Sequence, residues 1–418
     1  MREKTLLVVL TLALAAGAWG NGLSLNGVGT RAHAMGNAYY AITDDYSATY
    51  WNPGGLTDVD GIEINGTAMI VNPRATYKLN AFDIDTKSIN GFTEYLYPNA
   101  SFAWGGLMGG KFGLGVGGYV PAGMGVIWSG NDLAPLVQGD TSIWSTKIGM
   151  FEIAPGAAFA PHPMISIGGA FYIDYVKTEM KFPVPMGQQL LGHFSEEASG
   201  IGFGGVVGAK IKPHPMFHAG FSFKPKRTIT TDGTATIPEL SQMGMPTSSG
   251  FSRDIRWPME MMFGAAVMPT NKLTVGAGGR YLFWEDACDR FVATYDDANW
   301  QFFMDNTGSD EWVLNWKNTV QFNVGAEYKV HPMFDVRGGY YRDPSPTPDS
   351  TYNILLPGCD WNAVTFGTGF HVYKFDFDWV FEYMMGKERH ITTQGPHNIM
   401  GDHNVNLIFL EFSGTYHP

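Results

Sequence analysis

The chain is short of charge and of cysteine. Asp, Glu, Lys and Arg make up 16% of its 418 residues, against about 25% in soluble domains. Beyond the N-terminus no apolar run approaches the roughly 20 residues that a membrane helix needs, which excludes a helical membrane protein. Positive charge is scarcer than negative: 27 Lys and Arg face 39 Asp and Glu, for a net charge of -12. Attraction to phosphates would need the opposite balance, so nucleic acid is set aside as a partner. The two cysteines, Cys288 and Cys359, supply neither a disulfide framework nor a zinc spacing. Both fall in segments expected outside the cell, where one bridge between them is permitted but not required.

What is abundant is glycine, with 53 residues where about 7% of a chain, roughly 30 here, is usual. Aromatics reach 14%. That mixture suits many short, glycine-tolerant, aromatic-rich strands. At the start, Arg2 and Lys4 precede an apolar stretch from Thr5 to Ala16, then Ala16-Gly17-Ala18 and Ala18-Trp19-Gly20. A positive n-region, a short apolar core and small residues are the pattern of a secretory signal. Residues 1–20 are therefore expected to be removed on export, leaving a mature chain from near Trp19 or Asn21.

A strand in a membrane barrel presents alternate side chains to lipid and lumen over about 10 residues. Between Leu314 and Tyr328, one face carries Leu314, Trp316, Val320, Phe322, Val324, Ala326 and Tyr328, and the other Asn315, Lys317, Thr319, Gln321, Asn323 and Glu327. Phe375, Phe377, Trp379, Phe381 and Tyr383 alternate with Asp376, Asp378 and Glu382 in the same way. Aromatics at both ends of the apolar faces are what two membrane interfaces select.

The turns repeat. His162-Pro163-Met164, His214-Pro215-Met216 and His331-Pro332-Met333 each join two such runs, and Met268-Pro269-Thr270-Asn271 occupies an equivalent place. Proline at these positions reads as turn chemistry rather than as a metal site, and no metal or cofactor is expected. From Gly61 onward fourteen strands are expected, beginning near 61, 94, 111, 146, 164, 198, 216, 252, 272, 312, 333, 360, 375 and 404. An even number closes without an edge, as the bilayer requires. Gly113 to Gly118 and Gly200 to Gly205 satisfy G-x-G-x-x-G, but strand-like sequence follows where a nucleotide site needs a helix. The chain ends Gly414-Thr415-Tyr416-His417-Pro418, so an aromatic signal for barrel assembly would fall to Tyr416 or Phe412.

Between the signal and the first strand, about 40 residues do not alternate: Asn21-Gly22-Leu23-Ser24-Leu25, Gly29-Thr30-Arg31-Ala32, Met35-Gly36-Asn37-Ala38, Asp44-Asp45, Ala48 and Asn52-Pro53-Gly54. Asp44-Asp45 can neutralise Arg31 or cap a turn. This order of motifs resembles the N-terminal plug of the FadL-type outer-membrane transporters, which usually have Ala where Gly54 stands. The resemblance covers nearly the whole mature chain, and includes strand motifs such as Lys111-Phe112-Gly113-Leu114-Gly115-Val116. It implies an all-β membrane protein of the Gram-negative outer membrane: a 14-stranded antiparallel transmembrane β-barrel over 61–418 with a plug, or hatch, over 21–60 in its lumen. It also implies that Asn21, Gly22, Leu23 and Leu25 lie beside a bound hydrophobic molecule, Leu23 in contact with it, with Asn52, Pro53 and Gly54 as the plug motif.

The family moves its ligand sideways into the bilayer through an irregularity in the third strand. Here that strand ends Gly117-Gly118-Tyr119-Val120-Pro121-Ala122-Gly123. Pro121 removes a ladder donor and the glycines weaken pairing, which makes Pro121 and Gly123 the expected lateral gate. The expected function is uptake of hydrophobic small molecules, foremost long-chain fatty acids, by a monomer in contact with outer-membrane lipid and lipopolysaccharide. Aromatic hydrocarbons or alkanes are the alternative cargo, and a structural, adhesion or secretion-associated barrel the alternative role. No catalytic residues are expected; Ser195 and His193 are neighbours without a recognisable orienting partner.

Overall fold

The computed structural model describes residues 22–92, 95–186 and 191–418; the expected signal 1–20 and Asn21 lie outside them. Fourteen wall strands follow one another in antiparallel order: β1 (Ile62–Leu79), β2 (Tyr95–Gly106), β3 (Phe112–Trp128), β4 (Trp144–His162), β5 (Ile165–Pro185), β6 (Leu191–His214), β7 (Phe217–Lys224, continued by Arg227–Thr236), β8 (Ser248–Trp257, continued by Glu260–Thr270), β9 (Leu273–Leu282), β10 (Thr319–His331), β11 (Phe334–Asp343), β12 (Trp361–Val372), β13 (Phe375–Gly386) and β14 (Gly401–Tyr416). The cylinder closes where β14 pairs with β1, from Ile64 opposite Tyr416 to Lys78 opposite Asp402. Every strand thus has two neighbours, the only way a sheet satisfies its backbone inside lipid.

Alternation places apolar side chains outward as expected: Phe375, Phe377, Trp379 and Phe381 are exposed on β13, and Phe412 and Tyr416 on β14. Two expected boundaries need correction. β6 starts at 191 rather than 198 and β10 at 319 rather than 312. Leu314 and Trp316, read as lipid-facing, are buried inside, packed with Leu23 and Trp284. A two-residue period cannot say which face meets lipid where the lumen is itself apolar.

The repeated turns owe their sequence to one hydrogen bond. Nδ1 of His162, His214 and His331 accepts the backbone N–H of Met164, Met216 and Met333 at 3.2, 3.1 and 3.2 Å. Thr270 does the same for Lys272, Oγ1 accepting at 3.2 Å. Thr270, not Pro269, is therefore the counterpart in the fourth turn, as the pairing of Thr270 with Leu273 and of His162 with Ile165 confirms. On the opposite rim the connections are longer, and β5 and β6, of 21 and 24 residues, far exceed the 9–11 that cross a bilayer. Their outer ends carry ion pairs instead of apolar residues, Lys177 to Glu179 at 2.9 Å and to Glu197 at 2.7 Å, so this part of the wall stands above the membrane. Cys288 and Cys359 are free and buried in separate apolar clusters. Burial raises both thiols, Cys359 to about 12.

Residues 22–59 lie inside the cylinder and are almost wholly buried. They form α1 (Thr30–Ala34), α2 (Ala48–Trp51) and a 3-10 turn over Pro53–Asp58. Their backbone runs directly against wall glycines: a Cβ on Gly325 would stand 1.9 Å from the Met35 carbonyl oxygen, and one on Gly220 2.0 Å from that of Tyr40. Much of the glycine surplus is thus clearance for an internal segment.

Candidate functional site

β3 makes the wall irregular. Against β4 its register slips between Tyr119 and Ala122, one extra residue that bends the strand. Against β2 the ladder runs from Trp104–Leu114 to Ala100–Gly118 and stops. Residues 95–99 of β2 keep their pairing with β1, so the two strands part beyond Gly118. Higher up the gap is closed again, since Ile127 accepts the N–H of Ile89 at 2.8 Å and donates to Asn90 Oδ1 at 2.7 Å. The result is a window with a lower and an upper sill.

The backbone groups freed there do not go unpaired, which within a bilayer would cost several kcal/mol each. Val120 N–H donates to Asn99 Oδ1 at 3.1 Å. Leu25 N–H donates to the Pro121 carbonyl and Gly123 N–H to the Leu23 carbonyl, each at 3.0 Å, with Ser24 bridged antiparallel to Ala122. The leading segment has become a short strand on the edge that β2 vacates. Tyr95 and Tyr97 fill the sill: a Cβ on Gly125 would fall 2.3 Å from the Tyr95 hydroxyl, and one on Gly123 3.6 Å from that of Tyr97.

Inward of the window lies a cavity, partly open to solvent, with about 650 Å³ of empty space when that solvent is included, lined by Gly22, Ser24, Leu25 and Asn26, by Tyr95, Tyr97 and Gly123 to Gly125, and by Val71, Trp361, Met384, Leu407 and Phe409 among others. The structure brings Gly22, Leu25 and Gly123 together around this space, with Pro121 at its edge. Leu23 turns the other way, fully buried against Trp284 and Trp316. Gly22 fits between those two rings, where a Cβ would lie 2.6 and 2.7 Å from them, and its φ of +61° is also one that glycine adopts readily. Asn52, Pro53 and Gly54 lie apart from the cavity. Asn52 is buried and caps the 3-10 turn, Oδ1 accepting from Gly54 N–H at 3.1 Å, while Nδ2 donates to the Tyr40 and Ala209 carbonyls. Gly54 has no left-handed backbone, and a Cβ there would meet the Ser166 carbonyl at 3.1 Å.

Three wall carboxylates fix the segment just after the cavity. Asn26 donates to Glu382 on β13. Thr30 and His33 bind Glu411 on β14 at 3.0 and 2.5 Å. Arg31 grips Glu327 on β10 through two nitrogens, at 2.7 and 2.9 Å. Glu327 and Glu382 were readable as lumen-facing, but nothing in the sequence named their partners. Asp44 pairs with Arg31 at 2.6 Å while Asp45 caps a turn through Ser47, so the adjacent acids divide the two roles considered for them. At the short-turn end a second cavity, open to solvent and with about 1120 Å³ of empty space when that solvent is included, is polar; Asp58, Asp60, Glu63, Asp335, Asp376 and Asp378 line it together with Arg31, Lys329 and Arg337.

Above the window, the loop that follows β3 is clasped to the projecting wall. His193 Nε2 meets Asp140 at 2.7 Å and Nδ1 meets Glu239 at 2.6 Å. The hydrogen bonds to Glu239 and Asp140 raise the pKa of the imidazole against its desolvation.

A family model described as "Outer membrane protein transport protein (OMPP1/FadL/TodX)" matches residues 6–410. A Neisseria meningitidis serogroup B protein named as an outer membrane protein is 23% identical, over 89% of this chain and 87% of its own length. Among solved structures, a Pseudomonas aeruginosa FadL homologue superposes with a TM-score of 0.80 at 15% identity, covering 95% of this chain and 99% of the other. The Pseudomonas putida toluene transporter TodX gives 0.75 at 14%, with the same coverage. The Ralstonia pickettii toluene transporter TbuX gives 0.72 at 16%, over 94% and 99%.

Proposed function

The chain belongs to the OMPP1/FadL/TodX family of outer membrane transport proteins, and from that premise we propose that it admits hydrophobic small molecules, holding them beside Leu25 and releasing them through the window between β2 and β3. The observation that carries this reading is the pairing of Leu23–Leu25 with Pro121–Gly123 at the place where β2 leaves β3. A ligand entering the cavity and a ligand leaving through the window would both meet the same short strand. The remainder of the internal segment, to about residue 60, acts as the plug that keeps the barrel from being an open pore.

An apolar cargo explains why the route would run sideways. Each CH2 left in water costs about 0.8 kcal/mol relative to an apolar site, and the lower cavity is polar. Passage from the upper cavity to the bilayer avoids that exposure. Long-chain fatty acids and aromatic hydrocarbons both present the apolar surface that this lining accepts.

The test is Pro121→Val combined with Gly123→Val, which restores a ladder donor and β-branched side chains to β3. Uptake of a radiolabelled hydrophobic probe by cells expressing the protein should fall about tenfold, while the barrel still migrates as a compact, heat-modifiable band on gels. Unchanged uptake with an assembled barrel would refute the lateral route.

A further inference from the structure

We propose that cargo reaches the upper cavity from outside through a door one indole thick, the Trp316 ring, which Gly22 holds shut. The proposal rests on the transport reading above and adds its point of entry. At the long-loop rim a third pocket, open to solvent, lies among the loops that follow β9, β11 and β13, lined by Trp312, Leu314, Trp316, Leu356 and His397 among others. Trp316 belongs to that outer lining, and its six-membered ring stands against Gly22, where a Cβ would fall 2.7 Å away. Gly22 in turn lines the upper cavity. Leu356 and Pro357 repeat the relation along the chain, the first facing the outer pocket and the second the upper cavity.

The manner in which the indoles are held sets this place apart. Trp51, Trp128, Trp300 and Trp361 are buried, and each indole N–H donates to a backbone carbonyl, at 2.7 to 2.9 Å. Trp257, Trp284 and Trp316 are as deeply buried, yet among the described residues none of their three indole N–H groups has a partner. An unpaired buried donor is costly, and a ring without such a tether is positioned by packing alone. Trp316 packs edge-on to Trp284, with centroids 4.9 Å apart and planes at 80°, in the cluster that also holds Leu23 and Leu356. Gly22 reaches between the two rings, while Leu23 and Leu25 are bonded to the edge of β3 at the window. Withdrawal of this one strand would free the Trp316 ring to swing and would vacate the window edge in the same movement. Entrance and exit would then share a single latch.

The experiment follows uptake of radiolabelled naphthalene by cells expressing the full-length protein. His397→Cys places a thiol in the outer pocket, and Met243→Cys places one on the loop between β7 and β8, where Met243 is 51% exposed. The native thiols are buried and are spared by a maleimide carrying a long polyethylene glycol chain. Labelling at 397 should slow uptake about tenfold relative to the same variant unlabelled, and labelling at 243 should leave it unchanged. Trp316→Ala, which removes the door, should raise the uptake of pyrene, a wider arene, about tenfold relative to naphthalene; if that variant does not assemble, the labelling alone decides. Full uptake with 397 labelled, equal loss with either label, or an unchanged pyrene ratio in an assembled Trp316→Ala barrel would overturn the entrance, while impaired uptake by the Pro121→Val/Gly123→Val variant would leave transport standing. If that window variant and both labelled forms take up naphthalene at the unaltered rate, the transport reading falls and the entrance falls with it.

Discussion

Two seams of the same cylinder behave differently. Where β14 meets β1, the ladder is unbroken from one rim to the other. Where β2 meets β3, it stops at Ala100–Gly118. Lipid imposes the same demand on both, because an unpaired backbone group in hydrocarbon is too costly to leave. The difference lies in who supplies the partners. At the closing seam each strand satisfies the other. At the window, the Asn99 and Asn90 side chains, a residue of the first outer loop and three residues of the leading segment take over. A membrane barrel can thus open sideways by exchanging partners rather than by losing them.

The closing seam tolerates one proline, Pro73 of β1 opposite Leu407, so the sharpest way to break the comparison is to add a second at the centre of the facing strand. Leu410→Pro removes one ladder donor in the middle of β14, whose N–H groups are all needed. The assembled, heat-modifiable barrel should be lost almost entirely, whereas β3 carries Pro121 natively. Survival of a folded band would mean that the two seams are not as distinct as their ladders suggest. A smaller effect is expected from Leu25→Pro, which deletes the donor to the Pro121 carbonyl and leaves the wall untouched. One net hydrogen bond is worth about 1 kcal/mol, so the Gly123 amide should exchange with solvent several-fold faster while amides of β14 keep their protection. Equal acceleration in both seams would contradict a local role for the leading strand.

The smallest effect concerns the clasp above the window. The pKa of His193 is raised by Glu239 and Asp140, so its stabilising contribution is complete below the unfolded value of about 6.5 and is lost as pH rises through the higher folded value. The side chain is 44% exposed, and the gain is correspondingly modest. Proteolysis within the loop after β3, residues 129–143, should quicken between pH 6 and pH 9, and His193→Gln should remove the pH dependence. A cleavage rate flat with pH in the unaltered protein would show that the imidazole does not hold the loop.

The strand number and most strand starts were legible because one face of each strand must be apolar in lipid, as the outward aromatics of β13 show. That rule fails where the lumen is apolar as well, which is why Leu314 and Trp316 read as lipid-facing. Pro121 and Gly123 announced the irregularity in β3 through proline and glycine chemistry. Tyr95 and Tyr97 did not, because their role depends on lying opposite Gly125 and Gly123 on the neighbouring strand. The same limit hid the link from Thr30 and His33 to Glu411: partners about 380 residues apart leave no local pattern. The acids of the long loop before β10 in part serve the chain itself, Asp297 capping a helix over Ala298–Thr307 and Asp289 and Glu311 flanking Arg290.

The bare glycines facing Met35 and Tyr40 also tie the wall to its contents. With carbonyl oxygens seated where side chains of Gly325 and Gly220 would otherwise be, a substitution at either glycine would press on the internal segment rather than on a neighbouring strand, so that lining and filling can change only together.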